Sequence, residues 1–157
     1  MSSDFVHLHL HTQYSLLDGA NRTKDLIEHV LKSGMGAVAV TDHGNMFGAF
    51  DIQMEAVKKG IKPILGVEAY VAPGSRHDRE SVKTVDGEGN NYHLTLLAES
   101  PEGYRNLSYL VSEAFLSGFY YKPRMDWELL ERHHEGLIAL SGCVKSEVSQ
   151  RLLAGDF

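Results

Sequence analysis

His7, His9 and His11 stand two residues apart in the run Val6-His7-Leu8-His9-Leu10-His11. On an extended strand, residues i and i+2 share a face, so imidazoles at this spacing project together and two of them can chelate one metal ion. A His-x-His pair at a strand end can equally be a surface feature, and the residues that follow weigh against that reading. Asp18 lies in the next turn, Asp42-His43 closes an apolar run, Glu68 interrupts a second, His93 opens a third and Cys143 follows a fourth. Imidazole, carboxylate and thiolate are the ligands of zinc and related divalent ions. Two of the three N-terminal histidines, with Asp18, His43, Glu68, His93 and Cys143, make seven candidates. One zinc takes about four, so two or three ions bridged by Glu68 are implied if all seven bind. Cys143 alone could also be a nucleophile beside a histidine or a small buried residue, but the Ser-Gly-Cys strand end in this company favours a ligand. Asp42 either orients a ligand histidine or only begins a turn. His29, His77 and the pair His133-His134, flanked by Glu131 and Glu135, read as solvated.

The elements that must carry these residues follow from hydrophobic period. Phe5 to Leu10 reads as a strand, then Ala37 to Thr41, Ile64 to Ala72, Tyr92 to Ala98 and Leu137 to Ser141. Helices are expected from Thr23 to Ser33, closed by Gly34 and Gly36; from about Phe47 to Lys59, closed by Gly60; and from Ser100-Pro101, with Tyr104, Leu107, Val111 and Ala114 on its apolar face. A shorter helix follows Asp126, and a last one runs from about Lys145 to Phe157. Pro73 to Asn91 is polar and lacks an apolar period, so it reads as a long loop. A strand returning without a helical crossover is antiparallel, which would set His93 at the start of one strand beside Glu68 near the end of the other. The order is that of an α/β barrel or open sheet, in which ligands just beyond successive strands converge on one end.

Composition bounds the rest. The 157 residues suit one domain, with 43% hydrophobic and 23% charged residues. A formal net charge of -6 argues against a broad electrostatic grip on nucleic acid, so any DNA contact must be local or assisted by bound metal. One cysteine allows no internal disulfide and suits a reducing cytoplasm, and no segment has the apolar length of a membrane span. Histidine is the anomaly: five of the nine fall in the first 43 residues.

The segments His9-Leu10-His11, Ser-Leu-Leu-Asp18-Gly, Thr41-Asp42-His43-Gly44, Gly66-Val67-Glu68-Ala69-Tyr70, His93-Leu94-Thr95-Leu96-Leu97-Ala98 and Leu140-Ser141-Gly142-Cys143 resemble the polymerase-and-histidinol-phosphatase (PHP) family. Gly103-Tyr104-Arg105-Asn106-Leu107 and Gly118-Phe119-Tyr120-Tyr121-Lys122-Pro123-Arg124 are similar to the branch found at the N-terminus of bacterial replicative DNA polymerases. The resemblance spans nearly all of the chain. It implies a distorted seven-stranded, TIM-like βα barrel, of which residues 1–157 are the N-terminal portion of a single domain, incomplete in this chain. It implies His9, His11, Asp18, His43, Glu68, His93 and Cys143 as metal ligands, with Glu68 and His43 at the catalytic centre, and gives His7 no such role. Further ligands would come from a later Asp-x-His motif beyond Phe157. The implied cofactors are two or three divalent ions, zinc foremost, with manganese or iron as alternatives. The implied activity is metal-dependent phosphodiester hydrolysis, a proofreading 3′–5′ exonuclease acting on a DNA primer 3′ end. The implied partners are holoenzyme subunits, including a separate proofreading exonuclease. The alternatives are a catalytically silent module that supports the polymerase and that subunit, or a stand-alone phosphatase. Lys122 and Arg124, with Tyr120 and Tyr121, either hold substrate through phosphate and base stacking or cover the barrel rim.

Overall fold

The computed structural model describes residues 4–79, 83–85 and 89–156. Parts of the expected 73–91 loop, and Phe157 at the end of the expected last helix, lie outside the described residues. Among those described, the elements are α1 (Thr23–Lys32), β1 (Ala37–Val40), α2 (Ala49–Lys58), β2 (Lys62–Val71), β3 (Tyr92–Ala98), α3 (Pro101–Leu116), β4 (Arg124–Met125), α4 (Trp127–Arg132), β5 (Leu137–Leu140) and α5 (Glu147–Ala154). The α/β class read from the sequence is the class observed.

β2 organises the sheet because both of its edges are used. Along one edge, residues 62–65 pair in parallel with β1, Glu68 bridges His43, and Tyr70-Val71 pair in parallel with β4. Along the other, residues 66–71 pair antiparallel with β3, as the loop between them led us to expect. β3 pairs antiparallel with β5 through residues 95–98. The sheet is therefore mixed and, among the described residues, open, running β1-β2-β3-β5 with β4 beside β2. β4 has two residues, too short for any period to be visible in the sequence.

The strand expected at residues 5–10 does not form. Ala39 N donates to His7 O and Thr41 N to Leu10 O, each at 2.8 Å. Three residues on the N-terminal side thus span the distance that two span on β1, and the surplus is taken up by a bend at Leu8-His9. An extra residue of this kind interrupts a ladder and re-aims the side chains around it. The Thr41 side chain compensates: its Oγ1 accepts from Leu10 N at 2.9 Å and its hydroxyl donates to Leu10 O at 3.2 Å.

Two apolar clusters hold the helices against the sheet. Leu26, Ile27 and Val30 of α1 and Ile52 and Ala56 of α2 pack on Val38 and Val40 of β1. Leu107, Leu110, Val111 and Ala114 of α3, spaced i, i+3, i+4 and i+7, pack on Val67, Ala69 and Val71 of β2. Leu110 takes the place expected for Tyr104, whose ring stays 41% exposed. The Ser100 side chain caps α3 by accepting from Gly103 N at 3.1 Å, with Pro101 at the first turn. Because strand side chains alternate, sending Val67, Ala69 and Val71 into the helical core turns Glu68 and Tyr70 to the opposite face.

Candidate metal centre

Register carries that alternation across the sheet. Glu68 stands opposite Thr95 and Tyr70 opposite His93, so all four side chains share the face away from the helices. His43 reaches the same place from the end of β1. Glu68 N donates to Asp42 O at 3.0 Å and Gly44 N to Glu68 O at 2.9 Å, so the Asp42–Gly44 segment brackets Glu68. Gly44 holds φ at +64°, and a Cβ there would lie 2.9 Å from both the Tyr70 ring and Pro123, so both conformation and space call for glycine. The bend at Leu8-His9 delivers His9, and the loop that follows delivers His11 and Asp18. That loop is tight: a Cβ on Gly19 would meet Thr12 O at 1.8 Å.

Glu68 is the centre of the arrangement, at 2% exposure. Its Oε2 lies 3.0 Å from His9 Nε2, 3.0 Å from His11 Nε2 and 3.3 Å from His43 Nδ1, and its Oε1 lies 2.6 Å from His93 Nδ1. His43 Nε2 faces Asp18 Oδ2 at 3.0 Å, and His93 Nδ1 also faces Cys143 Sγ at 3.9 Å. All seven residues singled out in the sequence are thus joined in one network around a shared carboxylate. Two sets of three, His9/His11/Glu68 and His43/Glu68/His93, bring their donor atoms within 4.8 Å of one another. Donors on one tetrahedral zinc stand about 3.3 Å apart for nitrogen and oxygen and about 3.6 Å where one is sulfur, which is the scale found here. Among the described residues, His43 Nδ1 and Thr95 Oγ1 are buried without a hydrogen-bond partner, and both lie on this face. An orphaned imidazole nitrogen aimed at a carboxylate already serving three other imidazoles fits a bound cation, so the donor set suits divalent metal.

Burial alone would push the Glu68 pKa up. The hydrogen bonds with His11, His93 and His9 outweigh that and hold the carboxyl far below the usual range. The same bond to Glu68 raises the His11 pKa against the opposing effect of burial, with the charges of Glu68, Asp18 and Asp42 adding to it. Tyr70 forms one wall, its ring stacked on His43 at 6.0 Å and edge-on to His93 at 5.3 Å. Burial, with the charges of Glu68 and Asp18, pushes its hydroxyl up to about 12, so it remains a neutral donor at physiological pH.

The rim residues divide. Lys122 Nζ stands 5.3 Å above the Tyr70 ring, and so at the mouth of the cluster. Tyr121 beside it is 77% exposed and holds φ at 58°, a left-handed conformation uncommon for a tyrosine. Arg124, read with Lys122 either as a hold on phosphate or as cover for the barrel rim, is 2% exposed. Its guanidinium donates to the carbonyls of Gly118, Arg76 and Asp78, and its ring contact is with Tyr120. That placement holds the loop below the rim, in line with the rim-covering alternative. Nearby, Arg76 Nη1 pairs with both Asp126 oxygens at 2.9 and 3.0 Å, while Asp126 also caps α4. His7 lies edge-on to Phe5 at 4.8 Å, and half-buried His133, expected to be solvated, packs on Tyr109 at 4.4 Å.

The sequence profile of the PHP domain family matches residues 7–157. The DNA polymerase III subunit alpha of Deinococcus radiodurans is 52% identical over 155 residues, covering 96% of this chain and 12% of its own. That of Thermus aquaticus is 52% identical over 151 residues, covering 95% and 12%, and that of Aquifex aeolicus 50% identical over 147 residues, covering 92% and 13%. The chain therefore spans about an eighth of the length of these relatives. A solved amidohydrolase from Chromobacterium violaceum superposes loosely, over 69% of this chain and 32% of its own, at 24% identity and a TM-score of 0.48.

Proposed function

The chain belongs to the PHP domain family, and from that premise we propose that its histidine–carboxylate cluster holds two or three divalent metal ions and hydrolyses phosphodiesters, acting in a whole polymerase at a DNA 3′ end. The observation that carries this reading is the sharing of one buried carboxylate, Glu68, between two sets of imidazoles. His9, His11, Asp18, His43, Glu68, His93 and Cys143 would be the ligands, with zinc, manganese or iron bound. Such ions supply a water acidified to near neutral pH and positive charge to offset that of the phosphate.

The chain's own residues supply placement. Glu68 turns Oε2 to His9 and His11 and Oε1 to His93, so a single side chain sets the spacing of the two halves. His43 touches both Glu68 and Asp18 and so links them; Glu68 and His43 would hold the catalytic positions that the family resemblance implies. Lys122, whose ammonium lies over the Tyr70 ring, would take the charge of an incoming phosphate. Water adds to phosphorus, and the 3′ oxygen of the preceding nucleotide leaves.

Relatives named as DNA polymerase III subunit alpha support a primer terminus as substrate, with holoenzyme subunits including a proofreading exonuclease as partners, in the cytoplasm. The test is a 3′-labelled single-stranded oligonucleotide incubated with the protein loaded with zinc or manganese, the metal content being measured in parallel. Release of 5′-mononucleotides from the 3′ end that stops on adding chelator is expected. Metal-loaded protein that leaves the oligonucleotide intact would overturn the nuclease assignment in favour of the supporting module, and hydrolysis of small phosphate esters alone would favour a phosphatase.

A further inference from the structure

Asp42 lies next to a cluster residue yet touches no imidazole. It is 1% exposed, and three donors surround its carboxylate: Thr12 N at 2.6 Å and the Ser15 hydroxyl at 2.7 Å on Oδ1, and the Thr12 hydroxyl at 2.7 Å on Oδ2. Thr12 and Ser15 are themselves buried, so no water competes for these bonds.

Each of the three partners leads to the cluster. Thr12 directly follows His11, so fixing both its N–H and its hydroxyl fixes the backbone from which His11 projects. Ser15 Oγ, while donating to Asp42, accepts from His43 N at 3.1 Å and lies 3.4 Å from His11 Nδ1. Ser15 O accepts from Asp18 N at 3.1 Å and Gly19 N at 2.7 Å, closing the turn that sets Asp18 on His43. From its main chain, Asp42 O accepts from Glu68 N at 3.0 Å. One residue thereby ties three segments together: the 11–18 loop, the end of β1 and the middle of β2.

We propose that Asp42 is the positioning residue of this cluster: through Thr12 and Ser15 it holds His11 and Asp18 in register with His43 and Glu68, and so sets metal affinity without being a ligand. The inference rests on the metal-binding reading above. Its chemistry is that of hydrogen-bonded outer groups around metal sites, whose loss typically lowers affinity about 10- to 100-fold.

The test compares Zn2+ affinity, by competition with a chromophoric chelator, in the wild-type protein and the variants Asp42→Asn, Ser15→Ala and Asp126→Asn, with thermal unfolding of each metal-free protein. Asp42→Asn keeps the shape but sets an amide N–H2 against a donor. Ser15→Ala is the milder variant should the first fail to fold, because it removes one hydroxyl, with its contacts to Asp42, His43 and His11, and leaves both Thr12 bonds to Asp42 in place. Asp126 is a control of similar burial, 3% exposed, in the Arg76 clamp, outside the cluster. Asp42→Asn should weaken Zn2+ binding about 10- to 100-fold, and Ser15→Ala by less, while Asp126→Asn destabilises the fold and leaves affinity within about twofold of wild type. Unchanged affinity in both Asp42→Asn and Ser15→Ala would overturn the proposal, as would equal losses of affinity in Asp42→Asn and Asp126→Asn at matched loss of stability. If the wild-type protein itself bound no Zn2+, the metal-binding reading on which the proposal rests would fall instead.

Discussion

Replacing Glu68 by Gln tests the centre of the cluster with the least change of shape. The two carboxylate oxygens face different partners, Oε2 turned to His9, His11 and His43 and Oε1 to His93. Glutamine keeps one oxygen and turns the other into an amide nitrogen, which cannot ligate a cation. Whichever way the amide turns, one side of the cluster loses an oxygen ligand outright, and the other keeps a neutral carbonyl where it had a charged oxygen. Removing a group that only orients a ligand costs about 10- to 100-fold in affinity, so losing the ligand should cost at least about 100-fold, or about 2.7 kcal/mol, at the weaker of the two. The metal-free fold should change little, because the amide can still accept from one imidazole and donate to another. Zinc bound after gel filtration should fall by about one equivalent, and chelator competition should show weakening of the remainder. His134→Ala is the control, since that exposed ring lies outside the cluster and bonds to Glu131 O at 2.8 Å. Zinc content equal to wild type, with affinity within about threefold, would refute Glu68 as the shared ligand.

Two further outcomes follow from the rim. Hydrogen bonds from Arg76 N, Leu129 N and the Arg76 guanidinium lower the Asp126 pKa against the upward push of burial. The folded state therefore favours the ionised carboxylate, and this stability is present above the unfolded value near 4 and lost as pH falls through the lower folded value. Asp126→Asn should cost about 3 kcal/mol at neutral pH in chemical unfolding, and should flatten the acid limb of stability below about pH 4. Lys122→Ala should raise KM for an oligonucleotide about tenfold, with a smaller change in kcat and none in Zn2+ affinity, because the ammonium meets substrate and not the ligands; steady-state kinetics alongside metal titration separates these.

The cluster was legible in the sequence because ligand chemistry and strand period point the same way: a charged Glu68 inside Gly66-Val67-Glu68-Ala69-Tyr70 contradicts burial unless something pairs with it. The antiparallel partnership of β2 and β3 was legible from the loop between them. The N-terminal strand was not, because alternation of Phe5, Val6, Leu8 and Leu10 cannot reveal an extra residue whose place is set by pairing with β1. For Arg124 the sequence left two readings open for a related reason. Sequence shows a guanidinium beside tyrosines, but not that three backbone carbonyls, from residues up to 48 positions away, already surround it. Thr12 and Ser15 carried no signal at all, since hydroxyls that bond a buried carboxylate look like any turn residues. Tyr70 could have been found: it stands two residues from Glu68 on a strand and must share its face.

The distances along the chain at which the cluster is joined bear on how the molecule assembles. His9 meets Glu68 across 59 residues, and Cys143 meets His93 across 50. Contacts across such separations carry a high loop-closure cost, so the donors should assemble late, and a cation captured by them recognises a finished fold. A cation so captured acts as a removable cross-link. Because it holds only the folded chain, it stabilises by mass action, by about 2.7 kcal/mol at a free concentration about 100 times its dissociation constant. The N-terminal arm, joined to β1 at two backbone points in place of a full ladder, has most to gain from that fastening, and its amide exchange should slow most when metal is added.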